Sequence, residues 1–197
     1  MNVIVLVTSA LTPVRYEERR AEYERSLSIL RSFGYEPLIV ECVLPAGPSF
    51  LESYGEVFYA NVNDSSLRNK GVNEGKAIVK ALEYFRPADA DMVVKLTGRY
   101  HFSDRSFLNI VAGTEADCVV KYDFQGQVFS GCYAMIARHM RRMYSSFEYR
   151  RMEREMINIE TMMAKYVSSR RLAVLVVPRL GVVARIFGDG QPVLTEW

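Results

Sequence analysis

Polar and cationic residues stand at two points of the chain where a ligand could be held. The first is Asn69-Lys70-Gly71, which opens a segment with helical periodicity. The second is Thr97-Gly98-Arg99, which directly follows an apolar strand predicted at residues 92–96. Ligands of open α/β sheets lie at the carboxyl ends of strands. A helix amino terminus and an arginine side chain both suit anions. The two segments therefore predict a site for an anion such as a diphosphate, with Gly98 allowing close backbone approach.

Two further charged residues fall at or within predicted strands. Glu41 lies near the end of the strand predicted at residues 37–42, where a carboxylate can accept hydrogen bonds from a ribose or a base. A solvated charge at a strand end is the alternative. Lys95 lies inside the apolar strand 92–96. Since buried lysines are rarely unpaired, Lys95 either pairs with a carboxylate or reaches the ligand.

Hydrophobic periodicity predicts the elements that position these residues. An apolar run at residues 3–7, a helical segment that starts at Pro13 and ends at Gly34, and the strand 37–42 form a βαβ unit with parallel strands. No repeat or break in composition follows, so a single domain over residues 1–197 with a mixed, mainly parallel α/β sheet is expected. The remaining predicted strands are 57–60, 92–96, 117–121, 133–136, 172–177 and 182–186, and the helices are 71–85, 103–112, 137–147 and 150–167, with a turn at 188–192.

Composition excludes several classes of protein. The 197 residues are 49% hydrophobic and 24% charged, with a net charge of +2, which argues against a dedicated nucleic-acid binder. The first apolar run is too short for a signal peptide and no run spans a membrane, so a cytoplasmic protein is expected. Three scattered cysteines and two histidines favour reduced core thiols and give no pattern typical of zinc.

Taken together, these elements resemble a GT-A-type glycosyltransferase of the bacterial and viral polysaccharide type, which uses a nucleotide-sugar. Such enzymes open with a Rossmann-like βαβ unit, followed by an Asn-x-Gly-(Lys)…Ala loop, a helix, and a strand that ends in Asp-x-Asp. Asn69-Lys70-Gly71 and Lys76-Ala77 match the loop and the helix start, and residues 92–96 match the strand. The segments Asn158-Ile159-Glu160 and Leu180-Gly181-Val182 are similar to the later part of these enzymes.

The resemblance implies transfer of a sugar from a nucleotide-sugar donor to the hydroxyl of a glycan or glycolipid. Residues 1–100 would form the nucleotide-binding half and residues 101–197 the acceptor side. Thr8 and Ser9, at the end of the first strand, would contact the nucleotide through a backbone N–H and a hydroxyl, unless they form a simple turn. The implied donor-binding residues are Thr8, Ser9, Glu41, Asn69, Lys70, Gly71, Lys95, Gly98 and Arg99.

The chain departs from the family where the metal-binding motif would fall. The Asp-x-Asp position holds Thr97-Gly98-Arg99, and Asp89 and Asp91 precede the strand rather than follow it. No metal ligand is therefore predicted. Arg99 or a neighbouring lysine would neutralise the diphosphate, and Mn²⁺ or Mg²⁺ would have to bind through other carboxylates.

Glu160 is the first candidate for the general base that deprotonates an acceptor hydroxyl in inverting sugar transfer. On a continuous helix over residues 150–167, Glu160 shares an apolar stripe with Met156, Met163 and Val167. A structural ion pair with an arginine is the alternative. Glu155 and Asp123 are the rival candidates for the base.

Two other functions remain open at this point. A nucleotidyltransferase has a similar architecture and handles phosphates in a similar way, and a non-catalytic nucleotide-sugar-binding protein would need no base. The pairs Arg141-Arg142 and Arg150-Arg151 are most simply helix surface, although they could attract an anionic acceptor or a membrane surface.

Overall fold

The structure is a computed structural model that describes residues 2–188 and 191–197. The strands are β1 (Val3–Ser9), β2 (Leu38–Glu41), β3 (Glu56–Tyr59), β4 (Met92–Thr97), β5 (His101–Phe102), β6 (Cys118–Val120), β7 (Cys132–Ile136), β8 (Val174–Val176), β9 (Val182–Gly188) and β10 (Gln191–Glu196). The helices are α1 (Tyr16–Ser32), α2 (Lys70–Phe85), α3 (Ser106–Gly113), α4 (Ala137–Ser145), α5 (Tyr149–Glu155) and α6 (Ile159–Ser169).

Seven of the strands in the described residues form one sheet in the order β3-β2-β1-β4-β7-β6-β8. β7 runs antiparallel to both of its neighbours, and the other neighbouring pairs are parallel. The mixed, mainly parallel sheet that the sequence predicts is therefore confirmed. β2 and β3 lie on one side of β1 while β4 lies on the other. The strand order thus reverses between β1 and β4, and the carboxyl edge at such a point is where ligands of open α/β sheets bind.

The two faces of the sheet are covered by separate apolar clusters. Alternate side chains of a strand point to opposite faces, so Leu6 of β1 packs with α2, α4, α5 and α6, whereas Val5 and Val7 pack with α1 and α3. This burial on both faces explains why β1 is a continuous apolar run. None of the described helices combines the length and the apolar content that a membrane crossing requires.

Helix α2 begins and ends where local chemistry dictates. The Asn69 side chain accepts a hydrogen bond from the backbone N–H of Gly71 at 3.1 Å and so caps the amino terminus. At the other end Arg86 takes the left-handed conformation, with φ at 49°. Pro87 follows and prevents the helix from continuing.

The single helix predicted at residues 150–167 is wrong, because the chain breaks into α5 and α6. Met156 adopts a left-handed backbone with φ at 53° and ends α5. Asn158 then caps α6 by accepting the N–H of Thr161 at 2.8 Å. Met156 is 48% exposed, so the apolar stripe that placed Glu160 on a buried helix face does not exist.

A small antiparallel sheet, in the order β10-β9-β5, lies beside the main one. Residue Val182 of β9 and Phe102 of β5 are opposite each other and join the same core as α1 and α3. In the turn predicted at residues 188–192, positions 189 and 190 lie outside the described residues.

The packing around Gly98 generates a prediction about stability. Gly98 directly follows β4, and a Cβ atom there would lie 2.7 Å from the ring of Tyr23 and 2.9 Å from the side chain of Val7. We therefore expect Gly98→Ala to lower the free energy of unfolding by about 2 kcal/mol through overpacking. This loss corresponds to roughly 4–8 °C in the melting temperature of a chain of this size.

The matched control is Gly113→Ala at the end of α3, where a Cβ atom would have no neighbour within 4 Å. We expect this variant to unfold at the wild-type temperature or slightly above it. Thermal unfolding followed by circular dichroism measures both variants. Equal melting temperatures for the two would show that the close packing at Gly98 does not constrain the fold.

Candidate active site

A cavity of about 550 Å³ opens at the carboxyl ends of β1 and β4, where the strand order reverses. Both the amino-terminal and the carboxyl-terminal parts of the chain contribute to its walls. The lining residues are Thr8, Ser9, Ala10, Thr12, Arg19, Tyr23, Cys42, Val43, Asn63, Ser65, Lys70, Asn73, Glu74, Thr97, Arg99, Tyr100, Phe129, Ser130, Gly131 and Glu160.

Glu41 lies beneath this cavity and not in its wall. Its side chain is completely buried, and the carboxylate accepts hydrogen bonds from the backbone N–H groups of Leu11 at 3.2 Å, Val43 at 2.7 Å and Leu44 at 3.1 Å. The hydroxyl of Ser9 also donates to it, at 2.5 Å. The carboxylate thereby connects the loop after β1 to the loop after β2, and Glu41 is not among the residues that line the cavity.

The loop after β1 has little backbone left for a phosphate. The N–H of Leu11 is taken by Glu41, and the N–H of Ala10 donates to the Tyr23 hydroxyl at 2.9 Å. Burial raises the pKa of Tyr23 to about 12, so this hydroxyl stays protonated at neutral pH. Thr8 and Ser9 line the cavity, but this loop is not a nest of free N–H groups.

Three cationic side chains line the cavity without an acidic partner among the side chains that the structure describes. Arg19 on α1 donates to the carbonyl oxygen of Ala10, and Lys70 donates to that of Leu67 at 2.7 Å. Arg99 follows β4 and is half-buried, with no ion pair in the described part of the chain. Because carbonyl oxygens do not neutralise a charge, the cations leave the cavity attractive to an anion.

Lys95 does not reach the cavity, because its side chain is completely buried within β4. Its ammonium group forms an ion pair with Glu74 and donates to the Thr97 hydroxyl at 2.8 Å and to the Ser130 carbonyl at 2.7 Å. The sequence leaves open whether Lys95 pairs with a carboxylate or reaches the ligand, and in the structure it pairs with a carboxylate. Glu74, Thr97 and Ser130 all line the cavity, so Lys95 fixes the wall from behind.

Glu160 faces the cavity from the first turn of α6. Its carboxylate accepts a hydrogen bond from the Ser130 hydroxyl at 2.5 Å, and no arginine or lysine among the described side chains pairs with it. A carboxylate in this position can take a proton from a hydroxyl group bound in the cavity. The apolar-stripe argument for Glu160 is wrong, but the structure places the residue at the cavity for a different reason, which is the break before α6.

The two rival candidates for the base lie outside the cavity. Glu155 is exposed on α5 and forms ion pairs with Arg151 and Arg154, both at 2.9 Å. Asp123 lies in a turn, where its carboxylate accepts the backbone N–H groups of Gln125 at 2.8 Å and Gln127 at 2.9 Å. Neither carboxylate is among the lining residues of the cavity.

Asn69 and Gly71 also lie outside the cavity, but they hold Glu160 in place. Besides capping α2, the Asn69 amide donates to the carbonyl oxygens of Met152 at 3.0 Å and Ile157 at 2.7 Å. A Cβ atom at Gly71 would lie 3.2 Å from the side chain of Ile159, so any larger residue would push against the start of α6. The start of α2 is thereby fixed against the turn that begins α6.

Sequence reasoning missed several residues of the wall. Arg19 is one of many charged residues on α1, and Ser130 lies in a loop with no periodic pattern, so neither carries a local signal. Tyr100 and Phe129 form an aromatic stack with centroids 6.0 Å apart, and Phe129 also stacks on Trp197 at 4.4 Å. Such contacts between distant segments require the fold to be known.

The described residues contain no cluster of three histidine, cysteine or acidic side chains that could hold a metal ion. Asp89 and Asp91 lie at the amino end of β4, on the opposite edge of the sheet from the cavity. Asp89 pairs there with Arg141, while Asp91 accepts the N–H groups of Asn2 at 3.2 Å and Ala88 at 2.9 Å. The two carboxylates have a structural role in closing this edge.

The buried carboxylate of Glu41 generates a prediction about stability. In Glu41→Gln, an amide NH₂ group would replace one oxygen and would face donors instead of accepting from them. We expect the free energy of unfolding to fall by about 1.5–3 kcal/mol, the range of hydrogen bonds to a charged group. Urea denaturation of this variant measures the loss, with Glu115→Gln at an exposed loop position as the control. A Glu41→Gln protein as stable as the control would contradict the assigned role.

No protein-family model matches this sequence, and no curated protein matches it. Solved structures do match. A 4-diphosphocytidyl-2C-methyl-D-erythritol synthase is 16% identical with a TM-score of 0.57, over 89% of this chain and 87% of its own. A protein of Desulfovibrio desulfuricans G20, assigned as a nucleotide-diphospho-sugar transferase, is 12% identical with a TM-score of 0.53, over 90% and 80%. The galactosyltransferase LgtC, in complex with donor and acceptor sugar analogs, is 12% identical with a TM-score of 0.51, over 88% and 72%.

At these identities the likeness establishes the fold. The expected GT-A-like architecture is confirmed, whereas the narrower expectation of a glycosyltransferase stays a prediction. The solved structures with this fold include a CTP:phosphocholine cytidylyltransferase of Streptococcus pneumoniae as well as glycosyltransferases. The chain has the fold of the nucleotide-diphospho-sugar transferases.

Proposed function

We propose that this protein is a glycosyltransferase that moves a sugar from a nucleotide-sugar donor to the hydroxyl group of a glycan or glycolipid. The observation that carries the proposal is the carboxylate of Glu160, which faces a cavity that also presents three cations without acidic partners among the described side chains. The carboxylate is suited to removing a proton from an acceptor, and the three cations are suited to holding a diphosphate.

The donor would lie across the carboxyl ends of β1 and β4, with its diphosphate beside Arg19, Lys70 and Arg99. Glycosyl transfer breaks the bond between the anomeric carbon and the diphosphate oxygen, and the electron pair stays on the diphosphate. The cations offset the negative charge that develops there, as a metal ion does in other transferases. In this arrangement residues 1–100 supply most of the donor contacts, and residues 101–197 supply the base.

The acceptor reaction would use Glu160 as the general base. As the acceptor oxygen bonds to the anomeric carbon, its proton passes to the Glu160 carboxylate. The hydroxyl of Ser130 orients the carboxylate through the hydrogen bond at 2.5 Å, and Lys95 fixes Ser130 through its carbonyl oxygen at 2.7 Å. This arrangement suits an acceptor that carries a proton to be removed.

Nucleotidyl transfer is the second candidate, and the similarity to a cytidylyltransferase and a diphosphocytidyl-methyl-erythritol synthase supports it. In that reaction a phosphate group attacks a nucleoside triphosphate, and a phosphate needs no base. The internally bonded N–H groups of the loop after β1 also leave fewer donors for a triphosphate. These observations favour glycosyl transfer over nucleotidyl transfer.

Product analysis separates the candidate functions. The purified protein is incubated with a set of nucleotide-sugars or with nucleoside triphosphates and sugar phosphates, each with Mn²⁺ and with a chelator. Release of a nucleoside diphosphate supports the proposal, release of pyrophosphate supports nucleotidyl transfer, and saturable binding without turnover supports a non-catalytic binder. We expect binding to persist in the chelator. Binding lost in chelator and restored by Mn²⁺ would show that other carboxylates hold a metal.

The role of Arg99 is tested by the affinity for nucleoside diphosphates. Trp197 is the single tryptophan of the chain and stacks on Phe129 of the cavity wall, so its fluorescence reports ligand binding. We expect Arg99→Ala to weaken binding by about 1.5–3 kcal/mol, or roughly 10- to 150-fold, because a charge-assisted contact is lost. The control is Arg105→Ala, an exposed arginine outside the cavity wall. Unchanged affinity in a folded Arg99→Ala protein would remove Arg99 from the site.

The role of Glu160 is tested by turnover in Glu160→Gln, with Glu155→Gln as the matched control on the neighbouring helix. We expect donor binding to persist and the turnover number to fall by about 100-fold or more, the usual size of a general-base contribution. Glu155→Gln should keep its turnover, because Glu155 lies outside the cavity. A lower melting temperature with normal turnover per folded molecule would instead make Glu160 a structural residue.

A further inference from the structure

A second cavity, of about 450 Å³, lies at the opposite ends of the strands of the main sheet from the candidate active site. Its lining residues are His139, Arg142, Tyr166, Arg170, Arg171 and Leu172. Helix α4 begins directly after β7, whose last residue Ile136 is paired with Met92 at the start of β4. Leu172 lies just before the start of β8, which runs parallel to β6. The second cavity is therefore at the amino ends of β4 and β8, whereas the first is at the carboxyl ends of β1 and β4.

The charges around this second cavity are not balanced. Arg142, Arg170 and Arg171 have no carboxylate partner among the described side chains. Two other arginines of α4 are paired, Arg138 with Asp117 at 3.5 Å and Arg141 with Asp89. The cavity thus collects cations that the chain does not neutralise, although acidic residues neutralise their neighbours on the same helix.

The geometry also brings these cations together from α4 and from the segment that follows α6. The guanidinium of Arg170, just after α6, lies over the ring of Tyr166 at 5.7 Å, which restricts its motion and leaves its N–H groups free for another partner. Burial lowers the pKa of His139, and the nearby charge of Arg142 adds to this lowering. Burial raises the pKa of Tyr166, and the charges of Arg170 and Arg142 partly offset that rise, so Arg142 lies close to both rings. Three guanidinium groups can donate to an oxyanion with many acceptor oxygens, and a planar fork of donors matches phosphate in particular.

We propose that this second cavity is a binding site for a phosphate or diphosphate group, separate from the candidate active site. Arg142, Arg170 and Arg171 bind the oxyanion, and the ring of Tyr166 with Leu172 forms the apolar wall beside it. The phosphate belongs either to a soluble phosphorylated compound or to a lipid headgroup, which present the same chemistry to the cavity. The volume of about 450 Å³ is within the usual range for small-molecule sites.

His139 makes the proposal testable with a local signal. The chain has two histidines, His101 on β5 and His139 in the second cavity. Pyrophosphate is titrated into the protein while the imidazole resonances are followed by NMR. We expect a saturable shift of the His139 signal. The shift should persist in Arg99→Ala, whose change is confined to the first cavity.

The test variant is the double substitution Arg142→Ala with Arg171→Ala, and Arg105→Ala with Arg150→Ala removes the same number of charges elsewhere. We expect the test variant to bind pyrophosphate at least about tenfold more weakly at the His139 signal, and the control variant to bind as wild type. Binding of nucleoside diphosphates, read by Trp197, should be unchanged in both. No saturable His139 shift, or the same shift in test and control variants, would overturn the proposal.

Vesicles identify the source of the phosphate. A lipid headgroup is supported if the protein sediments with phosphatidic acid vesicles but not with vesicles of phosphatidylcholine alone. The test variant should then no longer sediment with the phosphatidic acid vesicles. A saturable His139 shift with pyrophosphate and no vesicle binding supports a soluble ligand. Both outcomes support the site, and both are independent of whether the first cavity transfers sugars.

Discussion

The buried ammonium group of Lys95 is the interaction on which the candidate active site depends. A charge in the centre of a sheet is costly unless it is paired and fully hydrogen-bonded. Lys95 meets this condition through Glu74, Thr97 and Ser130, three residues that belong to different elements and all line the cavity. The need to satisfy one buried charge therefore fixes the relative positions of α2, the end of β4 and the loop before β7.

The sheet and its helices could be predicted from the sequence because their signals are local. The apolar run of β1, the cap at Asn69 and the Pro87 stop each depend on neighbouring residues, and each is observed. The break between α5 and α6 has a local signal too, since Asn158 is a good cap. The surrounding methionines nevertheless keep a helical periodicity across this break, because a short interruption leaves most of such a pattern intact. The periodicity therefore predicts one continuous helix.

The candidate site was predictable only in part, for the same physical reason. Four of the residues that the sequence singles out line the cavity, because strand ends and helix starts can be located from local patterns: Arg99, Lys70, Thr8 and Ser9. Glu41 could not be placed, since its partners are backbone N–H groups of two loops whose conformations are set by the fold. Ser130 and Arg19 required the same long-range information. The second cavity is lined by residues of α4 and by residues after α6, so it also cannot be predicted from local sequence patterns.

The hydrogen bonds of the Asn69 side chain have a consequence for how the protein works. They join the start of α2, where Lys70 stands, to the turn that carries Glu160. The cation of Lys70 and the carboxylate of Glu160, both in the cavity wall, are thus held by the same set of hydrogen bonds. A site built in this way is preorganised: its spacing is set during folding, and ligand entry does not have to assemble it.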